Sequence, residues 1–142
     1  KKPSRVVLTI QKEVAERITA APGDLSLLAL SVQVYGAARR AVRIPAGAFY
    51  PAPSVDSEAV RVDLYPQPLI PHEKLDSFFT LIKAGFSQKR KTLRNALSGG
   101  LRRSPAQAEA LLRAANIDPM RRAETVSIEE WSRLVEVYEA GD

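Results

Sequence analysis

Residues 38–64 read ARRAVRIPAGAFYPAPSVDSEAVRVDL, and this stretch decides how the first half of the chain folds. Apolar and charged residues alternate over residues 38–44 and again over residues 59–64, which predicts two strands. Three prolines stiffen the loop between them, residues 45–54, because each proline fixes its own backbone φ angle. We therefore expect two strands of a sheet that are joined by a rigid loop.

The residues before this stretch follow strand and helix patterns in turn. Residues 5–10 form a short β-branched apolar run, which predicts a buried strand of the kind found in parallel sheets. Helices are expected over residues 11–21 and 25–35, with Gly36 as the C-terminal cap of the second. Since a fold should not begin inside a sheet, we expect the chain to be a truncated part of a longer protein.

A second proline cluster, residues 66–71, separates this region from a purely helical one. An apolar stripe at helical spacing follows, and Gly85 and Ser87 are placed to break it into two helices. Gly99-Gly100 is expected to end the stripe. The members of the stripe are Leu75, Phe79, Ile82, Phe86, Leu93 and Leu97.

Two further helices are predicted from serine caps. Ser104, followed by Pro105, is typical of an N-cap with proline in the first helical position. Ser127 and Glu130 form the capping-box pattern that begins the last helix. Trp131 in that helix is interpreted as a core residue.

The order of these elements gives the fold class. We expect an α/β region over residues 1–66, followed by a small all-α domain over residues 67–142. Hydrophobic residues make up 45% of the chain, which is enough to build a core.

Several classes of protein are disfavoured by what the sequence lacks. There is no cysteine, which excludes disulfides and thiolate metal sites, and the single histidine, His72, cannot build a zinc site. No apolar run approaches the roughly 18 to 20 residues of a membrane span, and no signal peptide is recognisable. We expect a cytoplasmic protein that binds neither a metal nor a membrane.

Charge is distributed unevenly along the chain, whose formal net charge is +5. Residues 77–108 contain no acidic residue, and Lys83, Arg90 and Arg94 fall on one predicted helical face beside the apolar stripe. Because interspersed carboxylates would repel phosphates, this acid-free block favours a polyanion partner over an ordinary solvated helix face. The candidate phosphate-binding residues are Lys83, Lys89, Arg90, Lys91, Arg94, Arg102 and Arg103.

Four motifs lie in order along nearly the whole chain. They are QKEVAER at residues 11–17, IPAGAFYPAPSVDS at 44–57 leading into AVR at 59–61, AGFSQKRKTLRN at 84–95, and NIDP at 116–119 followed by RAETVS at 122–127. Together they resemble the bacterial KsgA/RsmA family of small-subunit rRNA adenine dimethyltransferases. The first two are shared in outline with related methyltransferases of large-subunit rRNA, whereas the third and fourth point to the small-subunit branch.

The resemblance implies an S-adenosylmethionine-dependent enzyme that transfers four methyl groups to two adjacent adenines near the 3′ end of small-subunit (16S) rRNA. Residues 1–66 would be the last strands and helices of a Rossmann-like methyltransferase domain. Residues 67–142 would be a helical rRNA-binding domain that uses the seven basic candidates. The implied partner is the rRNA of the assembling pre-30S particle, and the implied state is a monomer.

Phe49 is the candidate catalytic-site residue. In the family, the phenylalanine of the Phe-x-Pro-x-Pro segment packs on the target adenine, and Phe49 occupies the matching position. A base lifted out of its stack needs an aromatic face, and flanking prolines hold that face still. The alternative from the residue alone is that Phe49 fills the core.

The chain departs from the family in what it lacks. It has neither a glycine-rich loop after a strand nor an Asn-Leu-Pro-Tyr-like motif, so we assign no residue of it to S-adenosylmethionine. We expect the chain alone to be inactive and to supply RNA binding and one wall of the adenine pocket. The alternatives are a stand-alone, non-catalytic RNA-binding or ribosome-assembly module, a relative that methylates large-subunit rRNA, and a protein-interaction domain with an acidic partner.

Overall fold

The structure is a computed structural model that describes residues 2–141, and it divides into two compact units. The first unit contains the residues up to Ala20 together with Leu28–Leu69. The second contains Ala21–Leu27 and the residues from Ile70 onward. The sequence prediction placed the change of unit at residue 66 and did not foresee that Ala21–Leu27 belongs with the helical part.

The first unit is a mixed α/β structure around a small sheet. Its strands are β1 (Arg5–Gln11), β2 (Gly36–Ile44) and β3 (Ser57–Leu64), and they form one antiparallel sheet in the order β1-β3-β2. Helix α1 (Lys12–Ile18) follows β1, and helix α2 (Leu27–Gln33) precedes β2. The predicted strands and helices are therefore present, although both helices are shorter than predicted.

β3 is the central strand and shows the alternation that the sequence predicts. Val60 and Val62 are buried and pack against Ala15 and Ile18 of α1. The residues between them point to the other face and are partly exposed. This period of two buries one face of the strand, because successive side chains of a strand point to opposite faces.

The prediction that residues 5–10 form a buried strand is wrong. Within residues 2–141, β1 pairs only with β3, in antiparallel orientation, and Val7 and Leu8 are 61% and 43% exposed. A continuous apolar run is typical of buried strands in parallel sheets, but it also occurs elsewhere. The composition of residues 5–10 therefore does not show whether both faces of the strand are covered.

Gly36 also differs from its prediction as a helix cap. It is the first residue of β2 and pairs with Leu64 of β3. A Cβ atom on Gly36 would lie 2.7 Å from the carbonyl oxygen of Asp63. The glycine is thus required for the close approach of two strands, which a reading of the neighbouring sequence does not reveal.

The second unit contains four helices, which are α3 (Leu75–Gly85), α4 (Leu93–Leu101), α5 (Pro105–Ala114) and α6 (Ile128–Ala140). Helix α3 packs against α4 and α6, and α5 packs against the same two helices. Both serine capping boxes are present as predicted, with reciprocal side-chain to backbone bonds at the start of α5 and α6.

The core of this unit surrounds Trp131, which is fully buried, as predicted. Its ring lies beside Gly85, where an added Cβ would be 2.7 Å from the indole Cη2. Phe78 is fully buried, whereas Phe79, the predicted member of the stripe, is only half-buried. Adjacent residues of a helix point about 100° apart around its axis. The buried face of α3 is therefore centred nearer to Phe78 than the sequence predicts.

The prediction that Gly99-Gly100 ends the helical run is wrong. α4 continues to Leu101, and the residue that leaves the helix is Arg102, in the left-handed region with φ 55° and ψ 44°. A Cβ on Gly100 would lie 2.5 Å from Cβ of Ala84 in α3. Gly100 therefore permits two helices to touch and does not terminate one.

Candidate nucleic-acid interface

The basic candidates lie on several elements of the second unit. Lys83 is on α3, Arg94 is in the first turn of α4, and Lys89, Arg90 and Lys91 lie between these helices. The prediction that Lys83, Arg90 and Arg94 share one helical face is therefore wrong. These residues do not share a face because α3 ends at Gly85. The sequence predicts a break between two helices at Gly85 and Ser87.

Residues 88–91 form a turn that we call the basic turn. Before it, the Ser87 hydroxyl donates to the carbonyl of Ala84 at 2.6 Å, which closes the end of α3. Within it, the Lys91 N–H donates to the carbonyl of Gln88 at 3.1 Å. The side chains of Lys89, Arg90 and Lys91 are exposed, so the backbone is held while the charges face solvent.

The start of α4 is fastened by a segment that belongs to the fourth motif. The N–H groups of Leu93 and Arg94 donate to the carbonyls of Arg121 and Pro119, at 2.6 and 3.1 Å. The Thr92 hydroxyl caps the helix by accepting from the N–H of Asn95. These N–H groups have protein partners, so the basic side chains, and not the helix terminus, are the feature that could bind an anion.

Arg121 is itself held by α6. Its guanidinium pairs with both carboxylate oxygens of Glu130 and donates to the carbonyl of Thr125 at 2.6 Å. Hydrogen bonds from Arg121 and then from the N–H of Ser127 lower the pKa of Glu130 to about 2. Arg121, which lies between the two parts of the fourth motif, therefore links α6 to the start of α4.

The charged groups of the basic turn have no counter-ion among the residues that the structure describes. Within residues 2–141, no ion pair involves Lys83, Lys89, Arg90, Lys91 or Arg102. Eight basic residues elsewhere in the described chain do form ion pairs with carboxylates, namely Arg5, Arg17, Arg40, Arg43, Arg61, Lys74, Arg113 and Arg121. Unpaired cations leave their field available to an external phosphate.

Arg102 and Arg103 follow α4 and are held in different ways. The N–H groups of Arg102 and Arg103 donate to the carbonyls of Gly99 and Ser98, respectively. This is a Schellman motif, in which the position of Arg102 is usually occupied by glycine. The guanidinium of Arg103 lies 5.1 Å from the ring centroid of Tyr138. Arg103 is thus stacked on α6, whereas Arg102 is exposed on a strained backbone.

Phe49 lies in the first unit, on the loop between β2 and β3. A single 3-10 turn, Ala46–Ala48, begins the loop, and Phe49 follows it in extended conformation. Its side chain is 38% exposed, and the neighbouring Tyr50 is fully exposed. The ring is accordingly a surface feature of the described chain and not a filling of its core.

Asp56, at the other end of this loop, is a residue that the sequence reasoning did not single out. Its carboxylate accepts from the N–H of Ala46 at 2.9 Å and from the guanidinium of Arg43. Its only sequence signal is an acid that follows the proline-rich stretch.

An open cleft lies beside Asp56 in the same unit. It is lined by Gln11, Lys12, Glu13, Glu16, Ser54, Val55 and Asp56. The sequence predicts a helix from residue 11, and α1 begins at Lys12, so Gln11 and Glu13 lie at the start of this helix. The described residues place no three His, Asp or Glu side chains together in a manner that could hold a metal ion. No helix in residues 2–141 is long and apolar enough to cross a membrane.

The chain is similar to known rRNA methyltransferases in sequence. The profile of the family described as ribosomal RNA adenine dimethylase matches residues 1–140. The ribosomal RNA small subunit methyltransferase A of Dehalococcoides mccartyi is 47% identical over 137 residues, which are 96% of this chain and 47% of that protein. The chain thus spans about half the length of the curated relatives it matches.

Two solved structures share the fold. A dimethyladenosine transferase from Plasmodium falciparum superposes with a TM-score of 0.79 at 20% identity, over 97% of this chain and 58% of that one. The 23S rRNA methyltransferase ErmE superposes with a TM-score of 0.68 at 23% identity, over 96% of this chain and 55% of that one. At these identities the likeness establishes a common mixed α/β fold and nothing about substrate.

Proposed function

Because the chain belongs to the ribosomal RNA adenine dimethylase family, we propose that it is the RNA-facing part of a methyltransferase that uses S-adenosylmethionine. The reaction is the dimethylation of two adjacent adenines near the 3′ end of small-subunit rRNA. Residues 1–66 are then the closing strands and helices of a Rossmann-like domain. The position of β1 at the edge of the described sheet supports this, together with its exposed apolar side chains, since an apolar edge strand suits pairing with a further strand.

In this proposal, residues 67–142 are a small all-α domain that binds the rRNA of an assembling small subunit. The enzyme acts as a monomer in the cytoplasm. The absence of strands between Ile70 and Gly141 in the described structure supports a separate helical domain.

The observation that carries the proposal is the basic turn. It presents three exposed cations, Lys89, Arg90 and Lys91, on a backbone fixed by hydrogen bonds at both ends. Lysine and arginine side chains in such an arrangement suit phosphate oxygens, whereas base reading generally also uses amides and aromatic rings. The turn therefore holds the RNA backbone and does not select a sequence.

Phe49 supplies an aromatic face for the target base. The amino nitrogen of adenine is a weak nucleophile because its lone pair is delocalised into the ring, so its placement decides the rate. Bound S-adenosylmethionine supplies the methyl group. A ring stacked on the base contributes about 1 to 3 kcal/mol of binding and fixes the plane in which the amine lies.

The test is the salt dependence of RNA binding by the chain. The variant changes Arg90, Lys91 and Arg94 together to glutamine. Each lost phosphate contact should reduce the slope of log affinity against log salt by about 0.7 to 0.9, so the triple change should reduce it by about 2 to 3. Filter binding is measured with a hairpin from the 3′ end of small-subunit rRNA and with an unrelated hairpin.

A matched control is Arg113→Gln, which removes an exposed arginine of the same unit that is already paired with Glu109. It should leave the slope unchanged. An unchanged slope in the triple variant, or a loss confined to the small-subunit hairpin, would contradict the assignment of the basic turn and the nearby Arg94 to the RNA backbone.

A further inference from the structure

Asp56 ties together three segments around the loop that carries Phe49. Its Oδ1 accepts from the N–H of Ala46 at 2.9 Å, and its Oδ2 accepts from Nε and Nη2 of Arg43 at 3.0 and 2.5 Å. Its backbone carbonyl accepts from the N–H of Lys12 at 3.0 Å. The end of β2, the first turn of the loop and the start of α1 therefore meet at one residue.

The bonds lead directly from Asp56 to Phe49. The carboxylate fixes the amide of Ala46, the first residue of the 3-10 turn, and the carbonyl of Ala46 accepts from the N–H of Phe49 at 3.2 Å. The base of the loop is closed by the pairing of Ile44 with Ser57. Two successive hydrogen bonds thus fix the backbone from which the Phe49 ring projects.

The Asp56 carboxylate is ionised under ordinary conditions. Hydrogen bonds from Arg43 and then from Ala46 hold its pKa below the usual range of an aspartate. An ionised acceptor binds an N–H more strongly than a neutral one, which makes the bond to the loop a firm one.

A second aspartate of the same unit shows what is particular to Asp56. Asp63, near the C-terminal end of β3, pairs with two arginines, Arg5 and Arg61, whereas Asp56 pairs with Arg43. Both arginines belong to strands, and within residues 2–141 no hydrogen bond or ion pair joins the Asp63 carboxylate to the loop that carries Phe49. The two residues share their charge and their pairing with arginine, and they differ in the bond to the loop.

We propose that Asp56 is a positioning residue, which sets the orientation of Phe49 toward the target adenine by holding the first turn of its loop. The inference rests on the proposed function. It adds to that function a residue that acts through the loop of Phe49.

The experiment is a double-mutant cycle in the complete methyltransferase that contains this chain. Asp56→Ala should lower kcat for rRNA dimethylation about tenfold while the affinity for RNA stays unchanged, since the loss is one of alignment. In a Phe49→Ala background, Asp56→Ala should cause no further loss, because the two residues then act through one ring. Asp63→Ala is the matched control and should leave kcat unchanged.

Two further variants separate positioning from folding. Asp56→Asn keeps an oxygen that can accept from Ala46, so it should restore kcat to within about threefold of wild type. Arg43→Gln removes the ion pair and leaves the bond to Ala46, and it should behave like Asp56→Asn. If Asp56→Ala does not fold, as judged by thermal unfolding beside Asp63→Ala, Ala46→Pro takes its place in the cycle. It removes the N–H that donates to Asp56, and the preceding Pro45 is already extended with ψ 148°.

The inference would be overturned if the losses of kcat from Asp56→Ala and Phe49→Ala added fully in the double variant. A wild-type kcat for Asp56→Ala would also overturn it, as would an Asp56→Asn variant as slow as Asp56→Ala. Failure of the proposed function has a different signature. In that case Phe49→Ala alone methylates at the wild-type rate, and the inference falls with it.

Discussion

The two adjacent glycines of α4 provide a test of how α3 and α4 pack. A Cβ added to Gly100 would lie 2.5 Å from Cβ and 2.6 Å from Cα of Ala84. A Cβ added to Gly99 would meet only the Nε2 atom of Gln88, at 3.5 Å, which is an ordinary contact. Gly99→Ala and Gly100→Ala are therefore the same chemical change on one helix, with different surroundings.

The expected magnitudes follow from two opposing terms. Alanine is favoured over glycine in a helix by about 0.5 to 1 kcal/mol, and both variants gain this term. Gly100→Ala must also separate two helices, because the obstructing atoms are Cα and Cβ and cannot rotate away. Overpacking of this kind costs about 1 to 3 kcal/mol. Gly99→Ala should thus be more stable than wild type, and Gly100→Ala less stable by about 1 to 2 kcal/mol.

The assay is urea unfolding of the chain, followed by the fluorescence of Trp131, its single tryptophan. Trp131 is buried beside Gly85 of α3, so its emission reports the unit in which both glycines lie. Equal stability of the two variants, or a Gly100→Ala that is more stable than wild type, would refute the close approach of α3 to α4.

Three other predictions follow from individual side chains. Phe49→Ala should slow dimethylation by the complete enzyme at least about tenfold with RNA binding nearly intact, and Phe49→Tyr should keep much of the rate. A heat-sensitive enzyme of wild-type speed would instead indicate a packing role. Arg102→Gly should relieve about 1 kcal/mol of left-handed strain, offset by a similar gain in unfolded-chain entropy. The urea midpoint should therefore hardly change while the salt slope of RNA binding falls by about 0.7 to 0.9. The pKa of Glu130 is lowered to about 2 in the folded state. The stability that ionised Glu130 contributes is therefore fully present above the ordinary glutamate pKa and is lost as the pH falls toward 2. Urea unfolding across this range should show a loss on the order of 2 kcal/mol that Glu130→Gln lacks, and an identical acid dependence of the two proteins would contradict it.

Features with a local cause could be predicted from the sequence. The alternation in β3 and the serine caps of α5 and α6 depend on residues at most a few positions apart, and the structure confirms them. Trp131 was also identified correctly as core, because a large apolar side chain in an amphipathic helix has a strong preference for burial.

Features that depend on a distant neighbour could not be predicted in this way. Gly36 and Gly100 were both interpreted as helix ends, yet each permits a close approach to a residue elsewhere in the chain, Asp63 and Ala84 respectively. Arg102, and not Gly100, ends α4. It adopts the left-handed backbone conformation, which is rare for arginine.

The candidate site shows the same division. The basic residues were identified from the absence of acids around them, and this property needs no structure. Their placement on one helical face was wrong because α3 ends at Gly85. Asp56 was missed, since its bonds to Arg43 and Ala46 exist only once β2 and β3 have paired.

The most direct test of the central claim is to map N6,N6-dimethyladenosine in rRNA by mass spectrometry. The complete gene product that contains this chain is expressed in cells that lack dimethylation of small-subunit rRNA. The account predicts that two adjacent adenines near the 3′ end of small-subunit rRNA become dimethylated, and that Phe49→Ala strongly reduces both. Dimethylation of an adenine in large-subunit rRNA, or none at all from a well-folded product, would contradict it.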